Sequence, residues 1–312
     1  MSPSLDLFAV FARVGETGSF TRAARELGLS KATVSKQIAQ LERELGVALV
    51  ARTTRKISLT EAGERVLRRA QRMVEERDAA REEAGEAQAS PRGRLKISAP
   101  LSFGVTYLSP LVGAFLALYP DITLELSLED RAVDLIGEGF DAALRIRALE
   151  DSSLTARQIA PIAIDTLASP AYLAARGAPR RPEDLALHAC LHYTHQATPA
   201  VWRFEGPGGE AVQVRGGGQF SANNGDLLVA AAVAGHGVIN VPRFLTHTHI
   251  ASGRLTPILT EWRSPPLALH LLSAPGRAAP RKLRVFSDFI YQHFGAGRTP
   301  WDRVKDPDGR TG

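Results

Sequence analysis

The stretch SFTRAARELGLSKATVSKQIAQLE, Ser19 to Glu42, constrains the fold more than any other part of this chain. TRAARELG predicts a short helix that stops at Gly28, because glycine takes the left-handed conformation at a helix C-terminus without steric cost. A second helix starts at once. Ser30 is placed to cap it, and Val34, Ile38, Leu41 and Leu45 follow at spacings of 4, 3 and 4, which puts all four on one narrow stripe. That stripe has to face a core, so Ala32, Ser35, Lys36, Ala39 and Arg43 point outward, with Lys31 and Thr33 near the helix start. Two helices joined by a three- or four-residue turn containing Gly form a helix-turn-helix, whose second helix enters the major groove of DNA by its N-terminal half. Small side chains let the backbone approach the bases, while Lys and Ser supply donors to phosphates and base edges. The bland alternative is a helical hairpin with a solvated outer face, and the flanking sequence argues against it.

On the N-terminal side Leu5, Phe8, Ala9, Ala12 and Phe20 supply a third helix and the apolar filling of a trihelical core. On the other side LVARTTRKISLTEAG predicts two short extended runs around Thr53, Thr54 and Arg55. Thr60 then caps a new helix, with Glu61 favourably placed in its first turn. This is a winged helix-turn-helix, with Arg52, Arg55 and Lys56 on or beside the wing, in reach of phosphates or the minor groove. Charge points the same way: residues 1–60 hold nine Lys or Arg against five Asp or Glu, so +4 of the net +5 sits in the first fifth of the chain.

The pattern FxxVxExGSFTxAAxxLxxSxxTVSxxIxxLExxLGxxLxxRTTRxxxLTEAG, from Phe11 to Gly63, resembles the DNA-binding half of LysR-type transcriptional regulators. The resemblance implies contacts to double-stranded DNA from Lys31, Ala32, Ser35 and Lys36 on the recognition helix and from Arg52 and Arg55 at the wing. Thr21, Thr33, Gln37 and Lys56 complete the candidate set. Many members have Gln-Pro where this chain has Lys31 and Ala32, which marks these as positions where the bases read can differ.

From Thr60 to about Ala89 the sequence is rich in Ala, Glu and Arg, with Val66, Ala70, Met73, Ala80, Ala84 and Ala87 near heptad spacing, and it reads as a linker helix suited to dimerisation. SPRGR, Ser90 to Arg94, breaks the helix with Pro and Gly. Beyond it the periodicity changes. LKIS, ITLELSL and DAALRIR predict strands, FGVTYLSPLVGAFLALYP and RAVDLIGEG predict helices, and the alternation implies an α/β layer with a parallel sheet. A second such run follows, with APIAIDTLAS as a crossover and strand, ACLHYTH as a strand, and NNGDLLVAAAVAGHGVINVP as strand end, helix and strand. LALHLLS and the helix PRKLRVFSDFIYQHF would return to the first layer. Two α/β subdomains with two crossovers resemble the effector-binding half of the same family, built like periplasmic solute-binding proteins. The expected fold class is therefore α/β with an N-terminal all-α winged helix-turn-helix. Its expected parts are residues 1–60 (DNA binding), 61–90 (linker helix) and 91–312 (effector binding). Within the last, subdomain I covers about 91–162 and 267–295, subdomain II about 163–266, and 296–312 is expected to be a disordered tail.

A length of 312 residues and a 44% hydrophobic content suffice for two domains with their own cores. No apolar run is expected to reach the roughly 18 residues a bilayer requires, and the charged N-terminus does not read as a signal peptide. The expectation is a cytoplasmic protein that avoids membranes, and Cys190, the one cysteine, agrees with a reducing compartment. HACLHYTH carries His188, Cys190, His192 and His195, residue types that can bind metal, but side chains two apart on a strand fan along it and do not converge on one ion. GPGGEA, Gly206 to Ala211, lies between strand-like VWRF and AVQV and reads as a hairpin turn, without the helix a dinucleotide site requires. Neither a phosphate-cradling loop nor a nucleophile elbow occurs, so the expectation is a chain without metal or cofactor that is not an enzyme.

The effector site is expected where the two subdomains meet at the ends of their strands. Pro100, Leu101, Ser102 and Phe103 lead into a helix whose free N–H groups favour an anion, and the Ser102 hydroxyl can join them. Arg145 and Arg147 share one side of a strand that ends nearby; Arg145 reads equally well as a structural ion pair, whereas Arg147, at the strand end and where many relatives have Gly, is the better ligand candidate. His195, Asn224, Asn240 and Pro242 would face the cleft from subdomain II. The expected ligand is a small carboxylate-bearing metabolite, with an aromatic one among the candidates; the resemblance implies a second copy as partner, in a dimer or tetramer, and for an activator RNA polymerase. The competing reading is a small-molecule-binding protein or enzyme that carries a DNA-binding module.

Overall fold

The computed structural model describes residues 3–51, 58–83, 90–148, 155–195, 198, 200–274, 279–295, 297 and 299–302. It divides into two units between Ser90 and Pro91, each with its own apolar core. The first unit runs α1 (Leu5–Thr17), α2 (Phe20–Leu27), α3 (Lys31–Leu45), the antiparallel two-residue strands β1 (Val50–Ala51) and β2 (Ser58–Leu59), and α4 (Glu61–Glu83). Val10, Phe11, Val14, Ala23, Val34, Ile38, Leu41 and Leu49 fill the core. The wing tip with Arg52, Arg55 and Lys56, and Ala84 and Ala87 of the expected zipper stripe, lie outside the described residues.

α4 does not stand apart as a linker over its first turns. Ala70 is fully buried in the first core, and Val66, Leu67 and Val74 pack against it, so two of the stripe positions assigned to a partner are spent within the unit. Met73 remains 39% exposed. The start of α4 is joined tightly to the base of the wing. Thr60 accepts the Gly63 N–H on its Oγ1 (2.9 Å), donates that hydroxyl to the Ala48 carbonyl (2.7 Å), and sends its own N–H to the Leu49 carbonyl (3.0 Å). A Cβ on residue 63 would lie 2.0 Å from that Leu49 oxygen, which is why the helix opens TEAG.

The second unit begins with β3 (Gly93–Ala99), α5 (Leu101–Phe103), a π-helical turn (Gly104–Leu108), α6 (Ser109–Leu118), β4 (Ile122–Leu128), β5 (Ala142–Arg147) and β6 (Thr155–Ile162). Next come β7 (Ile164–Ala168), α7 (Pro170–Arg176), β8 (His192–Tyr193), β9 (Val201–Glu205), β10 (Ala211–Arg215), β11 (Ser221–Ala222) and α8 (Gly225–Val233). The chain closes with β12 (Ile239–Pro242), α9 (His247–Ala251), β13 (Thr256–Pro257), β14 (Leu267–Ser273) and α10 (Arg281–Phe294). Subdomain I holds a five-stranded sheet in the order β4-β3-β5-β14-β6. β3 pairs in parallel with β4 and β5, but β14 is antiparallel to both neighbours, so the sheet is mixed where a parallel one was expected. The reason is that β14 returns from subdomain II and enters the sheet from the opposite end. Subdomain II carries the antiparallel sheet β12-β7-β13, and GPGGEA joins the β9–β10 hairpin.

Three expectations need correction. RAVDLIGEG forms turns instead of a helix, because the Glu138 carboxylate takes the Asp134 N–H (3.0 Å) and Asp134 takes that of Ile136 (3.1 Å), removing donors a helix would use. The helical stretch Leu101–Leu118 is long and apolar enough, by composition, to cross a bilayer, although 33% of it is buried, with Phe103, Tyr107, Leu108 and Phe115 in the core. Pro110 lacks an N–H, which accounts for the π-helical turn ahead of α6. Finally, the expected tail is ordered at Pro300–Asp302, where Trp301 is fully buried among Phe103, Tyr107, Phe244 and Phe294; residues 303–312 lie outside the described residues.

Candidate DNA-binding face and effector cleft

Gly28, at φ +66°, lets the Leu29 N–H turn back onto the Ala24 carbonyl (2.9 Å), and this closes α2 and redirects the chain. Ser30 then accepts the Thr33 N–H on its Oγ (3.0 Å) and meets the Thr33 hydroxyl at 2.8 Å. Val34, Ile38 and Leu41 are buried, which leaves Lys31, Ala32, Thr33, Ser35 and Lys36 exposed, together with Thr21 on α2. Gln37 is half-buried, so it borders this face without projecting fully from it. Among the described residues neither Lys31 nor Lys36 meets a carboxylate, and both charges are available to phosphates. One residue of this site was missed in the sequence. Glu42, on the same helix, accepts the Leu49 and Val50 N–H groups on Oε1 (2.8 and 3.0 Å) and so fixes the base of the wing against the recognition helix. Its signal was an acidic side chain in the last turn of the helix, three residues before Leu45, where a carboxylate opposes the dipole and needs another reason to be there.

In the second unit the structure brings Ser102, Asn224 and His195 together, and adds two carboxylates the sequence did not suggest. The Ser102 hydroxyl, 8% exposed, donates to Asp226 Oδ2 (2.7 Å) and accepts from Asn224 Nδ2 (3.3 Å), a link from subdomain I to subdomain II. Asn224 also caps α8 through the Asp226 N–H (3.0 Å), which brings Asp226 to the cleft. Leu101 sends its N–H to Asp130 Oδ1 (3.1 Å), and His195 Nδ1 lies 3.2 Å from the Asp130 carbonyl. Two of the donors expected to attract an anion at Pro100–Ser102, the Leu101 N–H and the Ser102 hydroxyl, are thus already taken by carboxylates of the protein. Phe103 is fully buried on the opposite side of the loop, in the aromatic cluster, and does not face the cleft.

Arg145 donates to the Leu144 carbonyl (2.7 Å), the Ser98 hydroxyl (2.8 Å) and the Arg131 carbonyl (3.1 Å), all neutral oxygens. Among the described residues no carboxylate pairs with it, so the structural ion pair is not what holds it. Burial lowers its proton affinity, opposed by the charges of Glu129 and Asp130. Tyr193, also electrostatically coupled to Arg145 and Asp130, has its phenol pushed up to about 12, chiefly by burial. Arg147 is paired in register with Ala268, and its charge bears on the buried His270 of β14. Asn240 is satisfied inside subdomain II by Thr166 Oγ1 (2.9 Å) and Ser264 Oγ (2.8 Å), and Pro242 ends β12 opposite Ile164; neither joins the Ser102 group by a hydrogen bond. The histidine and cysteine series is likewise engaged locally. His188 meets the Tyr172 hydroxyl (3.2 Å), His192 meets the Gly216 carbonyl (3.1 Å), and burial pushes the Cys190 thiol up to about 12.

A winged helix-turn-helix with an exposed basic recognition helix, followed by two α/β subdomains joined through Ser102, Asn224 and Asp226, is the architecture of a DNA-binding regulator. Comparison with known proteins places it more narrowly. Residues 5–64 match the bacterial regulatory helix-turn-helix of the lysR family and residues 88–295 match the LysR substrate binding domain, and the chain belongs to that family of transcriptional regulators. It is 36% identical to the HTH-type transcriptional regulator PtxR of Pseudomonas aeruginosa over 94% of this chain and 93% of that one. Among solved structures it resembles CrgA, a LysR-type regulator from Neisseria meningitidis, at 34% identity and TM-score 0.59 over 93% of this chain and 99% of that one. AphB, the Vibrio cholerae virulence activator, is similar at 31% identity and TM-score 0.58 over 93% of this chain and 99% of that one.

Proposed function

We propose that the protein acts in the cytoplasm as a dimer or tetramer that binds an interrupted inverted repeat through α3 and is modulated by a small carboxylate-bearing metabolite. The observation that carries the DNA reading is the outward face of α3, where Lys31, Ser35 and Lys36 stand exposed around small Ala32 above a stripe that is fully spent on the core. Footprinting of the purified protein tests it. Protection of two half-sites about one helical turn apart, roughly 34–36 Å, is expected, and a single half-site would refute the paired arrangement. Because Val66 and Ala70 are spent inside the unit and Met73 is exposed, Met73→Glu is the better probe of pairing through α4. It should raise the dimer dissociation constant about tenfold or more in sedimentation, without loss of helicity.

Arg145 supports the effector reading better than Arg147 does. A guanidinium that among the described residues meets neutral oxygens alone keeps its charge available, and a ligand carboxylate could pair with it in bidentate fashion. The ligand's other polar groups would replace Asp226 on the Ser102 hydroxyl, so binding exchanges a contact between subdomains for a contact with ligand. An effector that prefers one arrangement of the subdomains shifts its population. A thermal-shift screen of small mono- and dicarboxylates supplies the probe. Ser102→Ala and Arg145→Ala are each expected to weaken the best hit by about 1–3 kcal/mol in titration calorimetry. Wild-type affinity in both would place the ligand elsewhere.

A further inference from the structure

The aromatic cluster that holds Trp301 spans both subdomains. The indole lies 5.1 Å from the Tyr107 ring centroid, 5.8 Å from Phe294 and 5.9 Å from Phe103, all in subdomain I, and 6.2 Å from Phe244 of subdomain II. Around it the two subdomains are also joined by the Tyr107 hydroxyl, which donates to the Phe244 carbonyl (2.8 Å). The turn that carries Trp301 is pinned at its end. Asp302 accepts the Thr299 hydroxyl (2.5 Å) and lies 3.7 Å from Arg243, the residue that pairs with Asp165 of β7 at 2.7 Å. Trp301 is thus held from its own chain end by subdomain II while its ring packs mainly on subdomain I.

Phe103 connects this packing to the cleft. It is the neighbour of Ser102 in a helical turn, with its ring in the cluster on one side while Ser102 meets Asn224 and Asp226 on the other. Residues 299–302 lie just beyond the match to the LysR substrate binding domain, which ends at residue 295. We infer that residues 299–302 form a strap that positions the effector cleft: Trp301, acting through Phe103, holds the Leu101–Phe103 turn where Ser102 reaches Asn224 and Asp226. This rests on the reading of Ser102 as a cleft residue, but its test reads the turn itself and needs no ligand.

The test is hydrogen exchange by mass spectrometry on four full-length or truncated chains compared with the parent. Ending the chain after Gly295, or replacing Trp301→Ala, is expected to speed exchange about tenfold or more in residues 101–108 and 243–247 together, with β3 and β14 unchanged. Ending it after Asp302, or replacing Trp301→Phe, should leave these segments within about twofold of the parent. Faster exchange confined to residues 289–295 would make Trp301 a mere end-cap of α10 and overturn the strap. Uniform acceleration across the unit, or no change, would also overturn it. If the shortened chain fails to fold, Asp302→Ala decides. It removes the pin without opening the core, and must raise exchange several-fold in the same two segments for the inference to stand.

Discussion

Lys282→Met is expected to destabilise the effector unit by about 3–5 kcal/mol, the largest effect of any single change considered. Lys282 is 6% exposed, and its ammonium pairs with Asp141 Oδ1 (2.9 Å) and donates to the Arg94 carbonyl (2.6 Å). Asp141, in turn, accepts the Lys96 N–H on its other oxygen (2.7 Å), so the pair ties α10 to the edge of β3 and the start of β5. Removal of the ammonium leaves a carboxylate with little water to solvate it, whereas removal of both charges does not. Urea unfolding followed by tryptophan fluorescence measures this directly, because Trp202, Trp262 and Trp301 all lie in the second unit. The double variant Lys282→Met, Asp141→Asn should recover more than half of the loss. A single variant within about 1 kcal/mol of the parent would mean that the pair contributes little.

Lys36→Ala is expected to weaken operator binding by about 1–3 kcal/mol, roughly ten- to a hundredfold, if the side chain reads a base. The expectation rests on its exposure on the outer face of α3 and on the lack of a carboxylate partner among the described residues. Fluorescence anisotropy at one fixed salt concentration, against operator and scrambled duplexes, separates two roles. A base contact lowers operator affinity alone, while a phosphate contact lowers both and flattens the salt dependence by about one unit. Unchanged affinity for both duplexes would remove Lys36 from the interface.

The DNA-binding unit was legible because its determinants are local. The spacing of Val34, Ile38 and Leu41, the caps at Ser30 and Thr60, and the left-handed Gly28 each act within a few residues, and the structure has them all. The outward side chains of α3 followed from the inward ones. What periodicity does not carry is who meets a side chain across the fold. The Ser102–Asp226 hydrogen bond joins residues 124 apart, and no local pattern announces it. The same holds for Phe103, whose place next to Ser102 suggested a cleft residue although its ring turns into the core. β14 was recognised as a strand, but its direction depends on the path of the chain through subdomain II. The segment 131–139 misled for a different reason: its apolar spacing is helical, but Asp134 and Glu138 spend their carboxylates on neighbouring N–H groups. Composition alone made 296–312 look like a tail, and one Trp among Gly, Arg and Pro was the signal to the contrary.

The join between Thr60, Gly63 and Leu49 leaves no slack between the wing and the 23 residues of α4. Val66, Leu67, Ala70 and Val74 pack into the core of the head along the first turns of α4, so head and helix form one body. A displacement of α4 is therefore passed whole to α3, without refolding of the head.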